Sequence, residues 1–185
     1  TCSIAWLTDK TPEVKNTFTP SNITVQISET NSALGSDGNY SKEFKMIPGK
    51  TIAKDPKVTV AANSEECYVF VEIKEDLGAW DEFKTDGKTF KSFLDYSLAS
   101  GWTAVPGTTG VYYIEATANT EKYILAGGTG DYVNGQITVS GAVTKEMMEK
   151  LYVTGAAMPT LTFTAYACQK EGFETPAAAW AEASK

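Results

Sequence analysis

The strongest constraint on the fold is the regular alternation of apolar and polar side chains in several short segments. In residues 22–28 and 161–169 an apolar side chain stands at every second position. These side chains are Ile23, Val25 and Ile27 in the first segment, and Leu161, Phe163, Ala165 and Ala167 in the second. A period of two puts them on one face of a β-strand, so both segments are predicted to be half-buried strands.

Further strands are predicted from short runs rich in Val, Ile and Tyr between turn residues. They cover residues 58–60, 67–73, 102–105, 111–116, 123–126 and 136–140, whereas 31–41 and 127–135 are predicted loops. Helices are predicted at 88–98, at 144–152 with Thr144 as N-cap, and at 175–183 with Trp180 as anchor. We therefore predict an all-β chain with minor α, an antiparallel β-sandwich of jelly-roll type. The periodicity fits an immunoglobulin-like sandwich as well.

The length of 185 residues is enough for one domain with a sizeable core. A polar stretch that contains Pro12 separates the first apolar run from the rest of the chain. We therefore divide the chain into an N-terminal segment, residues 1–9, and a single domain, residues 10–185, which includes the C-terminal helix.

The composition removes many functional classes, because the chain has no histidine and no arginine. Without His there is no Ser-His-Asp triad and no HExxH zinc site. The net charge of −7 and the absence of Arg disfavour nucleic acid and anionic membranes as partners. No run of apolar residues is long enough to span a membrane. We expect a structural or binding protein, not an enzyme, with no catalytic residue, metal or cofactor.

Three cysteines, Cys2, Cys67 and Cys168, are too few for a disulfide scaffold. Cys67 and Cys168 each lie in an apolar, strand-like run, which favours two buried free thiols. A Cys67–Cys168 disulfide is the alternative if their strands are neighbours, and Cys2 would then be left for a second chain.

Several residue groups are compatible with glycosidase activity, calcium binding or sugar binding, but the same residue types are common in turns and cores. Adjacent acids at 65–66, 75–76 and 81–82 would suit a glycosidase only if two of them faced each other across a cleft. Two loops offer oxygen ligands for calcium, without the ligand count of an EF-hand: Asp37 with Asn39, and Asp131 with Asn134. Four tryptophans could line a sugar-binding face, although core packing is the preferred interpretation: Trp6, Trp80, Trp102 and Trp180.

The N-terminal run of residues 4–7 (IAWL) is too apolar to stay in water and too short to be a helix. It is either the first strand of its own sandwich or a strand added to a groove in a neighbouring subunit. Alternate side chains would set the register of such a strand, with Cys2, Ile4 and Trp6 on one face and Ala5 and Leu7 on the other. A head-to-tail contact of this kind does not close, so it builds a fibre.

A set of short motifs covers both ends of the chain and its first third. They are Ala5-Trp6-Leu7-Thr8-Asp9, Asn16-Thr17-Phe18-Thr19 with the strand 23–27, Pro48-Gly49-Lys50-Thr51-Ile52-Ala53-Lys54-Asp55-Pro56, the strand 161–169, and Gly172-Phe173-Glu174-Thr175-Pro176 with Ala179-Trp180. In order and spacing these motifs resemble the TasA/camelysin family of Firmicutes, whose members are secreted through a dedicated signal peptidase.

The resemblance implies a jelly-roll fold and export to the cell surface or biofilm matrix. For TasA-like members it also implies fibres built by donor-strand exchange. The donor strand maps to residues 1–8, with Cys2, Ile4, Ala5, Trp6 and Leu7 as the inter-subunit residues. Camelysin-like members have been described as metalloproteases, an activity that does not fit a chain without histidine to bind zinc.

We therefore expect a secreted structural subunit that polymerises into extracellular fibres. Its partners would be copies of itself in a head-to-tail filament, with an accessory anchoring protein as a further partner. The alternative is a monomeric cell-surface carbohydrate-binding or adhesion module in which residues 4–7 pair within their own sheet. A hydrolase that uses carboxylates or cysteine is the least favoured, because a thiol without histidine carries little thiolate at neutral pH.

Overall fold

The computed structural model describes residues 8–10, 23, 25–30, 33–34, 40–41 and 45–185, with the backbone alone at 8–10, 33–34 and 40–41. The described residues are mostly short antiparallel strands with two α-helices, so the predicted all-β class with minor α is confirmed. The strands are β1 Thr8–Lys10, β2 Val25–Ser28, β3 Ala33–Leu34, β4 Tyr40–Ser41, β5 Thr51–Ala53, β6 Lys57–Val60, β7 Cys67–Asp76, β8 Leu94–Asp95, β9 Thr103–Ala104, β10 Val111–Ala116, β11 Glu121–Tyr123, β12 Gln136–Val139 and β13 Thr160–Gln169. The helices are α1 Lys145–Leu151 and α2 Pro176–Ala183, and short 3-10 helices cover Gly78–Phe83, Phe90–Ser92 and Gly130–Tyr132.

The largest sheet has five strands in the order β1-β13-β7-β10-β9. Its centre is the pair β7 and β13, which run antiparallel over ten residues, from Thr160 opposite Asp76 to Gln169 opposite Cys67. Three-residue β1 and two-residue β9 form its edges. Short edge strands limit the unpaired backbone that a sheet presents to other chains.

A second layer combines two three-stranded sheets, β11-β6-β2 and β5-β12-β8. The two sheets are joined where the chain continues past β8 and β11, through a bridge between Leu98 and Leu125. On either side of this bridge the Ala99 N–H donates to the Ile124 carbonyl at 2.9 Å, and the Ala126 N–H donates to the Ser97 carbonyl at 2.8 Å. These bonds make one continuous layer opposite the five-stranded sheet.

The main core lies between the two layers. Every second residue of β7 points into it, as predicted: Cys67, Val69, Val71 and Ile73. The second layer meets them with buried side chains of β2, β6 and β12, namely Val25, Ile27, Val58, Val60, Ile137 and Val139. Burial of each such aliphatic side chain stabilises the fold by about 1.5–3 kcal/mol.

A smaller apolar cluster lies on the other face of the five-stranded sheet, under α2. It includes Tyr68 and Phe70 of β7, Tyr166 and Cys168 of β13, and Ala179 of α2. The first five residues of β7 are therefore all buried, since both of its faces are covered. This is why the sequence CYVFV is continuously apolar instead of alternating.

Both predicted helices with N-cap signals are confirmed. The Thr144 hydroxyl accepts a bond from the Met147 N–H, and the Thr175 hydroxyl accepts one from the Ala178 N–H, each at 3.2 Å. Pro176 follows Thr175 in the first turn of α2, where its missing N–H costs nothing. No helix in the described ranges is long and apolar enough to cross a membrane.

The helix predicted at 88–98 is wrong. The chain there forms a 3-10 turn, Phe90–Ser92, and then β8, which pairs with β12. Thr89 and Ser92 hydrogen-bond to each other in both directions, and the 3-10 helix ends after a single turn. The following residues pair as a strand instead of continuing the helix. The buried side chains Phe90, Phe93 and Leu94 gave the helix-like spacing.

Other local features also differ from the sequence prediction. β11 ends at Tyr123, where the predicted strand 123–126 begins. The predicted loop 31–41 contains a short ladder, in which Ala33 lies opposite Ser41 and Leu34 opposite Tyr40. The 3-10 helix Gly78–Phe83 was not predicted, although it carries the fully buried Trp80.

Candidate functional site

The edge of the five-stranded sheet formed by β1 is the part of the fold that bears on the predicted N-terminal segment. β1 runs antiparallel to β13 of its own chain, with Thr8 opposite Cys168 and Lys10 opposite Tyr166. β13 continues for only one residue beyond Cys168, to Gln169, before the chain turns. In this register β13 can therefore pair with at most one residue that precedes Thr8.

The residues predicted to enter a neighbouring subunit lie outside the described residues. They are Cys2, Ile4, Ala5, Trp6 and Leu7. Of the N-terminal segment 1–9, the structure describes Thr8 and Asp9, and it places both in β1 beside their own β13. This pairing was not predicted, because the sequence around Thr8 to Lys10 is polar and does not alternate.

Helix α2 lies over this edge, against β13, β7 and β1. Its largest contact is made by Trp180, whose ring lies edge-on to Tyr166 at 4.9 Å between ring centroids and 5.3 Å from Phe70. Trp180 was predicted to be the anchor of this helix, and its ring contacts confirm that role. Tilted and edge-on ring pairs of this kind contribute about 0.5–1.5 kcal/mol beyond their buried area.

A group of charges marks the end of β13 near this edge. The Lys170 ammonium lies 2.7 Å from a carboxylate oxygen of Glu115 and 3.3 Å from one of Glu66. Its hydrogen bond to Glu115, and then that to Glu66, raise the pKa of Lys170. Lys170 also borders an open cleft of about 650 Å³, together with Glu65, Gln169 and Phe173.

Cys67 and Cys168 are free thiols in the structure. They lie on neighbouring strands, but Cys67 is opposite Gln169 and Cys168 is opposite Tyr68. Cross-strand partners share a face, so the two thiols point to opposite faces of the sheet. This geometry rules out the Cys67–Cys168 disulfide that the sequence left open.

Burial is the main cause of the altered acidity of both thiols. It raises the pKa of Cys67 from 9.0 to about 12, with a smaller contribution from the Glu66 carboxylate. It also raises the pKa of Cys168 to about 12, with smaller contributions from Glu182 and Cys67. A thiol with so high a pKa carries almost no thiolate at neutral pH and is a poor nucleophile.

Of the tryptophans that were considered for sugar binding, Trp80 and Trp102 are core residues, whereas Trp180 is half-buried against the outer face of the five-stranded sheet. Trp80 is fully buried, and its indole N–H donates to the Met147 carbonyl at 2.7 Å. Trp102 is also buried and donates to the Tyr123 carbonyl at 2.9 Å. Because these rings face the interior, neither Trp80 nor Trp102 can form an exposed stacking platform, while Trp6 lies outside the described residues.

The adjacent acids are engaged in separate local contacts. Glu66 pairs with Lys170, Glu75 accepts a 2.5 Å bond from the Tyr96 hydroxyl, and Asp81 pairs with Lys84. The described part of the chain holds no group of three or more Cys, Asp or Glu side chains that could bind a metal ion. Asp37 and Asn39 lie outside the described residues.

An exposed apolar loop follows α1, and the sequence analysis did not single it out. Tyr152, Val153 and Met158 are 79%, 64% and 50% exposed. The only sequence signal is a short apolar run between Gly155 and the predicted strand at 161, which is equally typical of a buried connection.

Comparison of the chain with protein-family models, with curated proteins and with solved structures found no match.

Proposed function

We propose that this protein is a secreted structural subunit that polymerises into extracellular, biofilm-matrix fibres. In this proposal the domain is a jelly roll, and the N-terminal segment of one subunit adds as a strand to the next. The observation that carries it is the register of β1, in which Thr8 lies opposite Cys168 and β13 ends one residue later. In this register β13 offers a partner to at most one of the apolar residues 4–7, namely Leu7, so the proposal gives the others a partner in a second subunit.

The physical reason for a second partner is the cost of leaving this segment in water. Ile4, Trp6 and Leu7 are large apolar side chains, and burial of each would contribute about 1.5–3 kcal/mol. A groove in a neighbouring subunit supplies that burial, and it also supplies backbone hydrogen bonds along the added strand.

The geometry of strand addition explains why the product would be a fibre. The donor segment and the accepting groove are different surfaces of the same subunit, so each contact leaves one free donor and one free groove. The chain therefore extends head to tail without closing. The acidic composition, with a net charge of −7, would keep the free subunits apart and soluble before assembly.

The resemblance to the TasA/camelysin family agrees with this proposal in two respects. It assigns the donor role to the N-terminal segment, although Thr8, the last residue of the donor strand that the resemblance implies, pairs with β13 of its own chain, and it assigns the protein to the cell surface or matrix. The remaining partner, an accessory anchoring protein, would bind the terminal subunit of a filament.

Deletion of residues 1–7 is the direct test. We expect the full chain to form filaments that are visible by electron microscopy and sediment as large species. The shortened chain should remain monomeric at the same concentration, because β1, β13 and α2 are retained while the donor is lost.

Two point variants give a matched comparison within the segment. Trp6→Asp should abolish filaments, because a buried carboxylate opposes entry into an apolar groove. Thr1→Asp, at the polar start of the segment, should leave assembly intact. Filaments of unchanged width from the shortened chain would refute the proposal.

A further inference from the structure

Helix α2 covers two features at once: the edge strand β1 and the thiol of Cys168. The helix contacts β1, β13 and β7, and Cys168 lies in the apolar cluster beneath it together with Ala179 and Ala183. Any motion of α2 away from the sheet would therefore uncover both the base of the N-terminal segment and one of the two buried thiols.

The attachment of α2 to the sheet depends on few side chains. Its buried residues are Ala179 and Ala183, which are small, and Trp180 is its only large apolar side chain. Most of the contact energy must therefore come from the Trp180 ring against Tyr166 and Phe70.

Polar contacts do not add to this attachment in the part of the chain that the structure describes. The Thr175 hydroxyl caps its own helix, and Lys185 pairs with Glu182 three residues earlier. Across residues 175–185 the side chains show no ion pair or hydrogen bond to the described side chains of β13, β7 or β10. Such purely apolar packing of a small helix marks an element that opens easily.

The connection to α2 is suited to such a motion. Lys170 is fixed at the end of β13 through Glu66 and Glu115, and Gly172 follows with a φ of +89°, a conformation that favours glycine. An eight-residue helix is not stable in water by itself. Departure of α2 from the sheet would therefore also melt the helix, from about Gly172 onward.

We propose that α2 is a latch that opens separately from the sandwich, and that its closed position holds β1 against β13. Opening exposes Cys168 and releases Thr8–Lys10 from the sheet edge. In the proposed fibre this would lengthen the free N-terminal segment by three residues, a consequence that rests on the proposed function; the opening itself does not.

The two free thiols make the latch measurable. Cys67 and Cys168 are both fully buried, but Cys67 faces the core of the sandwich and Cys168 faces α2. A thiol reagent reaches Cys168 when α2 opens, whereas it reaches Cys67 only when the sandwich itself opens.

The test is alkylation of the folded monomer in a Cys2→Ser background, with the two sites followed separately by mass spectrometry. We expect Cys168 to react at least roughly tenfold faster than Cys67. Trp180→Ala should increase the rate at Cys168 by about tenfold or more and leave the rate at Cys67 unchanged, because one tenfold step corresponds to the loss of a single ring contact.

A matched control destabilises the sandwich instead of the latch. Met147→Ala removes a buried side chain of the main core, so it should accelerate the reaction at Cys67 and leave the faster rate at Cys168 nearly unchanged. Amide hydrogen exchange gives the readout for β1: Trp180→Ala should accelerate exchange at Thr8–Lys10 and leave the central residues of β10 unchanged.

Two outcomes would overturn the inference. Equal reaction rates at the two thiols, altered equally by Trp180→Ala, would mean that α2 opens only when the whole fold does. If Trp180→Ala accelerated alkylation at Cys168 without accelerating amide hydrogen exchange at Thr8–Lys10, α2 would not hold β1. Because the measurement uses monomers, failure of the full chain to form filaments would refute the proposed function without affecting this result.

Discussion

Buried polar groups of the main core form individual hydrogen bonds, often to residues far away in the chain. The Trp80 indole ties the 3-10 helix Gly78–Phe83 to the Met147 carbonyl in α1, and the Trp102 indole binds the Tyr123 carbonyl. The Tyr96 hydroxyl binds Glu75, and burial and that bond raise its pKa. Each bond removes the cost of a desolvated donor, so these residues fix where their elements meet.

Replacement of Trp80 by phenylalanine should show how much one such contact contributes to the free energy of unfolding. The change leaves the Met147 carbonyl without its donor and removes part of a fully buried ring. We expect the free energy of unfolding to fall by about 2–4 kcal/mol in urea denaturation. The control is Tyr152→Ala, where the side chain is 79% exposed, with an expected change within about 0.5 kcal/mol. Similar losses for both variants would contradict this account of Trp80.

The buried thiol of Cys67 should make stability depend on pH in the alkaline range. Its pKa is raised to about 12 in the folded chain from an ordinary value of 9.0, so the unfolded chain releases this proton first. The contribution of Cys67 is therefore complete below pH 9 and is lost as the pH rises from 9 towards 12. Between pH 9 and 11 the free energy of unfolding should fall by about 2–3 kcal/mol more in the wild type than in Cys67→Ala. Parallel pH profiles for the two proteins, measured by urea denaturation, would contradict the assignment.

Individual side-chain positions could be predicted from the sequence only where they repeat. Cys67, Val69, Val71 and Ile73 were assigned to one face correctly, because a period of two is a local property. The partner of the Trp80 indole could not be predicted, since Met147 is 67 residues away. The same limit left the cysteine pairing open until the register of β7 against β13 was known.

The two α-helices have the same N-cap chemistry but different neighbours. α1 packs against the 3-10 helix Gly78–Phe83 and contributes Met147 and Leu151 to the main core. α2 packs on the outer face of the five-stranded sheet and contributes chiefly Trp180. Loss of a cap should therefore have different consequences in the two helices.

Alanine at each N-cap separates these consequences. Thr144→Ala should lower the free energy of global unfolding by about 1 kcal/mol in urea denaturation, because α1 unfolds with the core. Thr175→Ala should leave the urea midpoint unchanged and instead raise the alkylation rate of Cys168 about fivefold, the equivalent of about 1 kcal/mol. A lower urea midpoint in Thr175→Ala, with no change in alkylation, would show that α2 unfolds only with the rest.

Elements with a strong local signal were predicted well. β10 and the two capped helices lie within a residue of their expected bounds, since alternation and capping are written in consecutive residues. The segment 88–98 was mistaken for a helix because Phe90, Phe93 and Leu94 have a helical spacing by coincidence. Its true state depends on pairing of β8 with β12, more than forty residues later in the chain.

At the scale of the whole molecule, the fold is a two-layer sandwich with a helix on its outer face. The sequence predicted the class, but the order of strands in the sheets depends on contacts between distant segments that no local pattern specifies. The pairing of Thr8–Lys10 with β13 is the clearest example, because those residues carry no strand signal. That pairing also sets the point from which the N-terminal segment extends.

A buried ion pair ties together the two three-stranded sheets of the second layer, because Lys54 follows β5 and Glu29 follows β2. The Lys54 ammonium lies 2.9 Å from Glu29, with side chains 9% and 11% exposed, and 5.4 Å from the centre of the Phe163 ring. Lys54→Met should lower the free energy of unfolding by about 3–5 kcal/mol, because the Glu29 carboxylate loses this partner while still buried. The exposed pair Lys145 and Glu149 is the control, and Lys145→Met should change stability by less than about 1 kcal/mol. Equal effects in calorimetry would contradict the importance of the buried pair.

Binding of the N-terminal segment to a neighbouring subunit can be detected by mixed-isotope cross-linking at residue 6. Subunits that carry a photoreactive amino acid in place of Trp6 are prepared in light and heavy nitrogen, mixed, allowed to assemble and irradiated, and the adducts are read by mass spectrometry. If the segment enters a neighbouring subunit, we expect adducts between light and heavy chains as frequently as between chains of the same isotope. Cross-links confined within single chains, at concentrations where filaments form, would contradict it.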